Sequence, residues 1–283
     1  MQIIDSKNAL SAALKDCDNI GFVPTMGNLH AGHIHLVNLA KQHAGCVVVS
    51  IFVNPLQFSA NEDLANYPRT IEADVEKLQA AGADIVFIPS ITELYPDFDG
   101  KDFNQTFTIA LPTIANELCG ASRPGHFAGV ATVVAKFFNL IQPQIAFFGK
   151  KDFQQLFIIR ELVKQMNYPI QIMAGETVRE ASGLALSSRN GYLSDVARIK
   201  ASQLNQALRG MVDAIKQGNQ NFDDVERQAA QQLSAQGWYV DYVSIRNAES
   251  LLPAHSDDKH LVVLGAAKLD KTRLIDNIEF CAK

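Results

Sequence analysis

Short apolar runs alternate with helical spacing of apolar residues through the first 175 positions of the chain. Runs bounded by Gly, Pro or charged residues have the length of buried strands, whereas apolar residues three and four apart mark one face of a helix. Strands are predicted at 20–23, 46–53, 84–88, 145–148 and 170–174, and helices at 34–39, 70–81, 129–141 and 153–166. The alternation predicts an α/β domain with a doubly wound parallel sheet over residues 1–175.

The pattern changes after residue 175. One long helix is predicted over 195–217 and another over 223–236, followed by strands near 239–245, 261–269 and 273–280. This order predicts a smaller α+β domain over residues 176–283. The Ser-rich stretch 176–193, which contains Gly, is expected to link the domains and to move as a lid.

Composition and charge narrow the class of partner. Hydrophobic residues make up 47% of the chain and charged residues 19%, as in ordinary folded proteins. A formal net charge of -5 gives no overall basic field for a polyphosphate backbone. A small-molecule substrate is therefore expected, and no nucleic-acid partner.

The N-terminal segment and the cysteines bear on location. Residues 1–14 mix charged and polar positions with apolar ones, unlike a signal peptide, and no apolar run approaches the ~20 residues of a membrane span. Cys17, Cys46, Cys119 and Cys281 are widely spaced and form no C-x-x-C pair. A cytoplasmic protein with reduced thiols and no membrane partner is expected.

The strongest chemical signal is FVPTMGNLHAGH at residues 22–33. It places a strand end, a turn at Gly27 and two histidines, His30 and His33, where a helix begins. In a doubly wound sheet, ligands bind beyond the carboxyl ends of the strands. Unpaired N–H groups at a helix start attract phosphate, and imidazoles beside them can donate hydrogen bonds as charge develops on it. This segment favours adenylyl transfer.

Two structural interpretations of the same histidines stay open. His30 and His33 could cap the helix, or they could be two ligands of a structural metal, for which no third ligand has a motif spacing. His35, one step further along, is assigned to packing or solvent.

The loop after the second strand carries FVNPLQF, residues 52–58. Asn54 and Gln57 could bind a polar acid through neutral hydrogen bonds, although Asn54 before Pro55 is also a common turn. RPGHF at residues 123–127 offers Arg123 to a carboxylate or phosphate, or as a cap of the following helix.

FFGKKDFQQL, residues 147–156, also joins a strand to a helix. Gly149 permits close backbone approach, Lys151 can neutralise phosphate charge, and Asp152 could cap the helix or bind a ribose. Lys150 and Lys151 could equally be a solvated pair.

The last candidate segment is TVREASGLALSSRN, residues 177–190. Ser187, Ser188 and Arg189 can bring hydroxyl donors and a guanidinium to a leaving pyrophosphate, although the segment could be a polar linker.

Taken together, PTMGNLHAGH, FVNPLQF, YPRT at 67–70, RPGHF, FGKKDFQQL and LSSRN resemble the AMP-forming ligases of pantoate and β-alanine. The match spans nearly the whole chain, and its first motif is shared with the wider nucleotidylyltransferase superfamily. The resemblance implies a Rossmann-like first domain, a C-terminal lid domain, a homodimer, and a reaction in which pantoate is adenylated by ATP and then captured by β-alanine.

The resemblance also implies residue roles. Contacts to ATP fall on Met26, Gly27, Asn28, Leu29, His30, Ala31, Gly32, His33, Gly149, Lys150, Lys151, Asp152, Val178, Leu186, Ser187, Ser188 and Arg189. Catalytic roles fall on His30, His33, Lys151, Ser187, Ser188 and Arg189, with His33 as proton donor. Gln57 and Gln155 would bind pantoate, with β-alanine near Gln57. Mg²⁺ would bridge the phosphates, with Asp74 as a protein contact.

Two positions depart from the family pattern. Members commonly carry Glu where this chain has Lys150 and Met where it has Leu186. Both flank the nucleotide, so ATP affinity is the property expected to change. Two other functions are weighed against the ligase: a nucleotidylyltransferase acting on a phosphorylated small molecule, and a catalytically silent nucleotide-binding protein.

Overall fold

Six parallel strands form the sheet of the first domain in a computed structural model that describes residues 1–58, 64 and 67–282. The strand order is β1-β4-β3-β2-β5-β6. The strands are β1 (Gln2–Ile4), β2 (Ile20–Thr25), β3 (Cys46–Ile51), β4 (Ile85–Phe87), β5 (Ile145–Gly149) and β6 (Gln171–Gly175). The predicted doubly wound α/β fold is confirmed.

Helices cover both faces of this sheet. They are α1 (Lys7–Leu14), α2 (Ala31–His43), α3 (Ile71–Ala80), α4 (Ile91–Leu94), α5 (Cys119–Ser122), α6 (His126–Ile141) and α7 (Phe153–Gln165). Neighbouring residues of the central strands enter different cores, since Phe22 and Val48 pack on one face and Val23 and Val49 on the other. Burial on both faces explains why these strands are continuous apolar runs rather than alternating ones.

The chain reverses its direction of winding beside β2. From β2 it proceeds through β3 to β4 on one side, and it later returns to β5, which pairs with the other side of β2. The carboxyl ends of β2 and β5 therefore flank the crevice in which ligands of such sheets bind. The loops after Thr25 and Gly149 both open there.

The second domain is a three-stranded antiparallel sheet with three helices. It contains α8 (Asp195–Ala201), α9 (Gln203–Lys216), α10 (Phe222–Ala235), β7 (Tyr239–Asn247), β8 (His260–Leu269) and β9 (Thr272–Cys281). The single helix predicted over 195–217 is wrong, because Ser202 separates α8 from α9. Its hydroxyl donates to the Ile199 carbonyl at 2.9 Å, and such local side-chain bonds compete with helical ones.

Several element boundaries differ from the sequence pattern. The strand β1 and the helix α1 were not predicted, since polar residues interrupt that stretch; Ser6 caps α1 by accepting from the Ala9 amide. Helix α6 begins at His126, three residues before the predicted start at 129, directly after Gly125, whose φ is +81°. The start of α6 brings His126 into a buried position.

Cys17 and Cys46 form a disulfide, so the expectation of reduced thiols is wrong for this pair. Their Cα atoms lie 5.6 Å apart although 29 residues separate them in sequence. The two cysteines have no motif spacing in the sequence. They are close because the fold brings the segment after α1 next to the start of β3. Cys119 and Cys281 are free.

The hydrophobic cores divide the chain near the predicted boundary. The clusters of the first domain draw on residues 4–174, and the main cluster of the second draws on residues 184–282, including Leu184 from the predicted linker. A smaller cluster joins the domains by packing Leu118 and Phe153 against Leu251 and Leu264. The division at residue 175 stays a prediction, and no helix in the described ranges could cross a bilayer.

Candidate active site

The loop between β2 and α2 is fixed from behind by one carboxylate. Asp74, fully buried on α3, accepts hydrogen bonds from the amides of Asn28 and Leu29, both at 2.7 Å. Gly27 and Asn28 have φ values of +81° and +49°, so the predicted turn at Gly27 uses a backbone region that glycine adopts at little cost. The loop is held rigidly where it meets the crevice.

Asp74 has little capacity left for a metal ion. Besides the two amides it accepts from the Thr70 hydroxyl at 3.0 Å, and the Lys77 ammonium lies 3.9 Å from its Oδ1. Lys77 also donates to the Leu29 carbonyl at 2.8 Å. The arrangement makes Asp74 a support of the loop and does not fit the direct Mg²⁺ contact that the resemblance implied.

His30 and His33 cap helix α2 as a reciprocal pair. His30 Nδ1 accepts from the Gly32 amide at 3.1 Å, and His33 Nδ1 accepts from the His30 amide at 3.2 Å. A neutral imidazole has one donor and one acceptor nitrogen, so accepting at Nδ1 leaves the proton on Nε2. The capping interpretation is confirmed, and it leaves one N–H donor on each ring.

Both rings are held neutral. Burial and the nearby Lys151 ammonium lower the pKa of His30 to about 4. Burial and the adjacent His30 ring, whose centroid is 4.1 Å away, lower the pKa of His33 to about 3. Neither ring carries a second proton near neutral pH. Each can donate a hydrogen bond through Nε2, but neither is a strong acid there.

The metal-ligand interpretation of the two histidines has no support in the part of the chain that the structure describes. Within it, no three His, Cys, Asp or Glu side chains are grouped so as to hold a metal ion.

Asn54 orients Gln57 at the end of β3. The Asn54 amide nitrogen donates to Gln57 Oε1 and to the Gly129 carbonyl, both at 3.1 Å, while its oxygen accepts from the Tyr95 hydroxyl at 2.8 Å. A Cβ on Gly129 would lie 2.3 Å from the Leu56 carbonyl oxygen, so only glycine allows α6 this close. The side-chain oxygen and nitrogen of Asn54 are therefore both hydrogen-bonded. The amide nitrogen of Gln57 lies 3.0 Å from the Met26 sulfur and is the atom that can donate to a ligand.

Arg123 and His126 continue this arrangement toward the second domain. The Arg123 guanidinium lies 2.8 Å from His126 Nε2, and His126 Nδ1 lies 2.8 Å from the Gln57 carbonyl oxygen. Because a guanidinium only donates, His126 accepts at Nε2 and donates from Nδ1. His126 thus links Arg123 to the loop that carries Gln57.

Adjacent glutamines on α7 have different environments. Gln154 is buried, and its side chain bonds to the Cys119 amide at 3.0 Å and to the carbonyls of Ile114 and Glu117 at 2.7 and 2.9 Å. Gln155 lines the cavity beside the histidines. The structure therefore separates a glutamine that holds a loop from one that can meet a ligand.

The turn after β5 directs its two lysines to different places. The Lys150 ammonium pairs with Glu176 at 2.6 Å and Glu279 at 2.9 Å. Lys151 lines the histidine cavity, with Asp152 Oδ2 at 3.7 Å from its ammonium. A Cβ on Gly149 would meet open space, so this glycine leaves room at the cavity wall.

Asp152 is an anion surrounded by cations. The loss of part of its hydration acts to raise the pKa of Asp152, but nearby groups outweigh that effect and hold the pKa below its usual value; they are Lys151, Arg189, His126 and Arg123. Its carboxylate, half exposed, faces the cleft without capping α7.

The segment 178–190 forms a small folded unit. The Leu186 amide donates to the Val178 carbonyl at 2.9 Å, and Ser187 caps the next turn by accepting from the Arg189 amide at 3.2 Å. The Tyr67 phenol hydrogen-bonds to Ser188, which connects this segment to the first domain.

Two cavities adjoin at this place. One of about 220 Å³ is lined by Met26, His30, Gly32, His33, Asn54, Gln57, Gly149, Lys151, Asp152, Gln155, Val178, Leu186, Ser187, Ser188 and Arg189. A larger cleft of about 940 Å³ between the domains adds Arg123 and residues of β9. Gly27, Asn28, Leu29 and Ala31 belong to the supporting loop and helix start.

Sequence reasoning missed three residues that hold the segments in place. Arg179 forms a two-point ion pair with Asp276 of β9, at 2.7 and 2.8 Å, and the side-chain amide of Asn277 donates to the carbonyls of Lys150 and Lys151, both at 2.9 Å. No local pattern marks these contacts, since Asn277 and Lys150 are 127 residues apart.

The chain matches known proteins along its length. The family model described as Pantoate-beta-alanine ligase matches residues 2–279. A pantothenate synthetase of Methylobacillus flagellatus is 62% identical over 99% of this chain and 99% of its own length. That of Thiobacillus denitrificans is 56% identical over 99% and 97%.

Solved structures agree with this assignment. A pantothenate synthetase from Thermus thermophilus superposes with a TM-score of 0.91 at 42% identity, covering 98% of this chain and 99% of its own. A pantoate-beta-alanine ligase from Francisella tularensis, complexed with beta-gamma ATP and beta-alanine, has a TM-score of 0.81 at 33% identity, covering 98% and 97%.

Proposed function

The chain belongs to the pantoate-beta-alanine ligase family, and from that premise we propose how its residues carry out an AMP-forming condensation of pantoate with β-alanine. In the first step the pantoate carboxylate attacks the α-phosphorus of ATP and pyrophosphate leaves. In the second, the β-alanine amine attacks the acyl carbon of the pantoyl adenylate, loses a proton, and AMP leaves with the former carboxylate oxygen on its phosphate.

The histidines act in the first step as neutral hydrogen-bond donors. Their Nδ1 atoms are occupied by backbone amides, which leaves the Nε2–H group of each ring to donate to the phosphate oxygens on which charge accumulates. This refines the role of proton donor implied for His33, because a pKa of about 3 leaves no second proton to transfer at neutral pH. Lys151 neutralises phosphate charge beside them.

Pantoate is bound by neutral amides. Gln57, whose oxygen is fixed by Asn54, offers its amide nitrogen, and Gln155 lines the same cavity. Arg123, in the larger cleft, is positioned for the carboxylate of the incoming β-alanine. The ATP and acid sites therefore meet between β2 and β5.

The segment 178–190 closes the nucleotide side. Gly149, Val178 and Leu186 line the wall for the nucleoside, and Ser187, Ser188 and Arg189 hold the departing pyrophosphate. Covering the adenylate excludes water until the amine arrives.

Magnesium would enter with the nucleotide and would supply positive charge to its phosphates. Asp74 does not fit as its ligand, because its oxygens already bind the loop amides. No reaction step is assigned to the ion.

We also propose a homodimer in the cytoplasm, where ATP is supplied. The family resemblance supports the dimer, and Phe107, 89% exposed within residues 102–112, which belong to no helix or strand, offers a side chain at which to test it. Light scattering of wild-type protein and of Phe107→Asp tests the dimer, and cell fractionation tests the location.

The occupied Nδ1 atoms of His30 and His33 carry the mechanistic proposal. The decisive assay follows AMP release with ATP, pantoate, β-alanine and Mg²⁺, omitting each in turn. Pantothenate must form only when all substrates are present. Accumulation of a stable nucleotidyl product without β-alanine would indicate nucleotidyl transfer instead.

A further inference from the structure

Strand β9 of the second domain reaches the phosphate-binding turn of the first. The side-chain nitrogen of Asn277, 6% exposed, donates to the carbonyl oxygens of both Lys150 and Lys151 at 2.9 Å. An amide NH₂ has two hydrogens, so one side chain serves both carbonyls. The orientation of the turn that carries Lys151 is therefore fixed from the opposite domain.

The preceding residue holds the other phosphate-binding segment. Asp276, 5% exposed, forms its two-point ion pair with Arg179 and accepts from Asn205 at 2.9 Å. Arg179 also donates to the Gly183 carbonyl at 3.1 Å and to the Asn277 carbonyl at 3.2 Å. The base of the unit that presents Ser187 and Arg189 is thus anchored to the same short stretch of β9.

We infer that Asn277 is a positioning residue for adenylation. Asn277 holds the turn that carries Lys151, and the adjacent Asp276 holds the segment that carries Ser187–Arg189, so together they fix the distance between the two. The inference rests on the proposed function, and it gives the second domain a task beyond covering the site. Two groups that bind one triphosphate must keep a fixed spacing, and a displacement of about 1 Å costs about 100-fold in rate. A single strand supporting both segments provides that spacing.

Asn277→Ala removes both donors, and Asn277→Asp replaces them with a carboxylate facing two carbonyl oxygens. Pantoate-dependent exchange of pyrophosphate into ATP measures adenylation alone. We expect the kcat of exchange to fall between about 10- and 100-fold in both variants, while KM for pantoate stays within about twofold. Among the described residues, neither Gln57 nor Gln155, the glutamines assigned to pantoate, has a hydrogen bond to Asp276 or Asn277.

Asn247→Ala provides the matched control. Asn247 lies at the end of β7 in the same domain, and its side chain donates to Asp258 at 2.8 Å and accepts from two amides at 2.9 and 3.0 Å. It loses comparable hydrogen bonds without touching the turn at 150–151. Thermal unfolding of each variant reports stability, and only Asn277→Ala should lower exchange.

A double-mutant cycle with Lys151→Ala tests whether Asn277 affects adenylation through Lys151. If Asn277 acts through Lys151, adding Asn277→Ala to Lys151→Ala lowers exchange by less than about twofold further. Full additivity, or equal kinetics for Asn277→Ala and Asn247→Ala, would overturn the inference. The proposed function fails separately, if folded wild-type protein makes no pantothenate from its substrates.

Discussion

The two sides of the nucleotide cavity are built in different ways. The histidine side lies within the first domain: His30 and His33 cap the helix on which they lie, and Asp74 of α3, 45 residues beyond Leu29, fixes the loop before them. The lysine side is assembled from distant parts of the chain, because Lys151 and the segment 178–190 depend on Asp276 and Asn277.

This difference separates chemistry from alignment. The histidine side is rigid within one domain and supplies neutral donors whose tautomer is already set. The lysine side crosses the domain boundary, so any movement of the second domain changes the position of its charges. We expect substitutions on the first side to alter the chemical step directly, and those on the second to act through geometry.

The largest effect is expected on the histidine side. His33→Ala removes an Nε2–H donor and should slow adenylation by about 10²- to 10³-fold, or about 2.7–4 kcal/mol in the barrier. Pyrophosphate exchange measures it. His35→Ala, two residues further along the same helix, is the control and should exchange pyrophosphate at the wild-type rate. An unchanged rate in His33→Ala would falsify the donor role.

Asp74→Ala tests whether the loop support is structural. Removing the carboxylate leaves the Asn28 and Leu29 amides without partners. Each buried unsatisfied group should lower the free energy of unfolding by about 1–3 kcal/mol. Urea denaturation measures the loss. Titration with Mg²⁺ should give the same half-saturating concentration as wild type; a large increase would instead make Asp74 a metal ligand.

The neutral histidines predict how stability depends on pH. Both protonate near 6.5 when unfolded but only near about 4 and about 3 when folded. Between the folded and unfolded pKa values, the unfolded chain binds more protons than the folded protein. The contribution of the two neutral rings to stability is therefore complete above pH 6.5 and is lost as the pH falls toward 4 and 3. The slope is about 1.4 kcal/mol per pH unit for each proton.

Denaturation midpoints at pH 7 and pH 5 measure this slope. It should decrease in His33→Ala and persist in His35→Ala. A slope of opposite sign, or one unaffected by His33→Ala, would contradict the assignment of neutral rings.

The smallest effect is expected at Lys150, the neighbour of Lys151. Its ammonium pairs with Glu176, which is 76% exposed, and such pairs contribute about 0.2–1 kcal/mol. Lys150→Ala should change KM for ATP by less than about threefold. Lys151→Ala is the contrast and should lower kcat strongly; equal effects at both positions would remove the distinction between the two lysines.

Local sequence determined much of the histidine side. A strand end, a turn at Gly27 and a helix start are encoded within residues 22–33, because backbone propensities and apolar spacing act over a few residues. The same spacing predicted the alternation of strands and helices, although it did not reveal the break at Ser202 or the start of α6 at His126. The family resemblance, which depends on several motifs together, supplied the substrates.

Tertiary structure decided why one polar residue faces the cavity while its neighbour supports it. Residue type and spacing do not separate Gln154 from Gln155, or Lys150 from Lys151. The family resemblance pointed to Gln155 and Lys151, and the direction of the helix or turn explains the choice, because it gives Gln154 and Lys150 other partners. The disulfide and the anchoring of Lys151 by Asn277 join residues far apart in the chain. Such contacts follow from the topology of the sheet and the docking of β9, which no local pattern encodes.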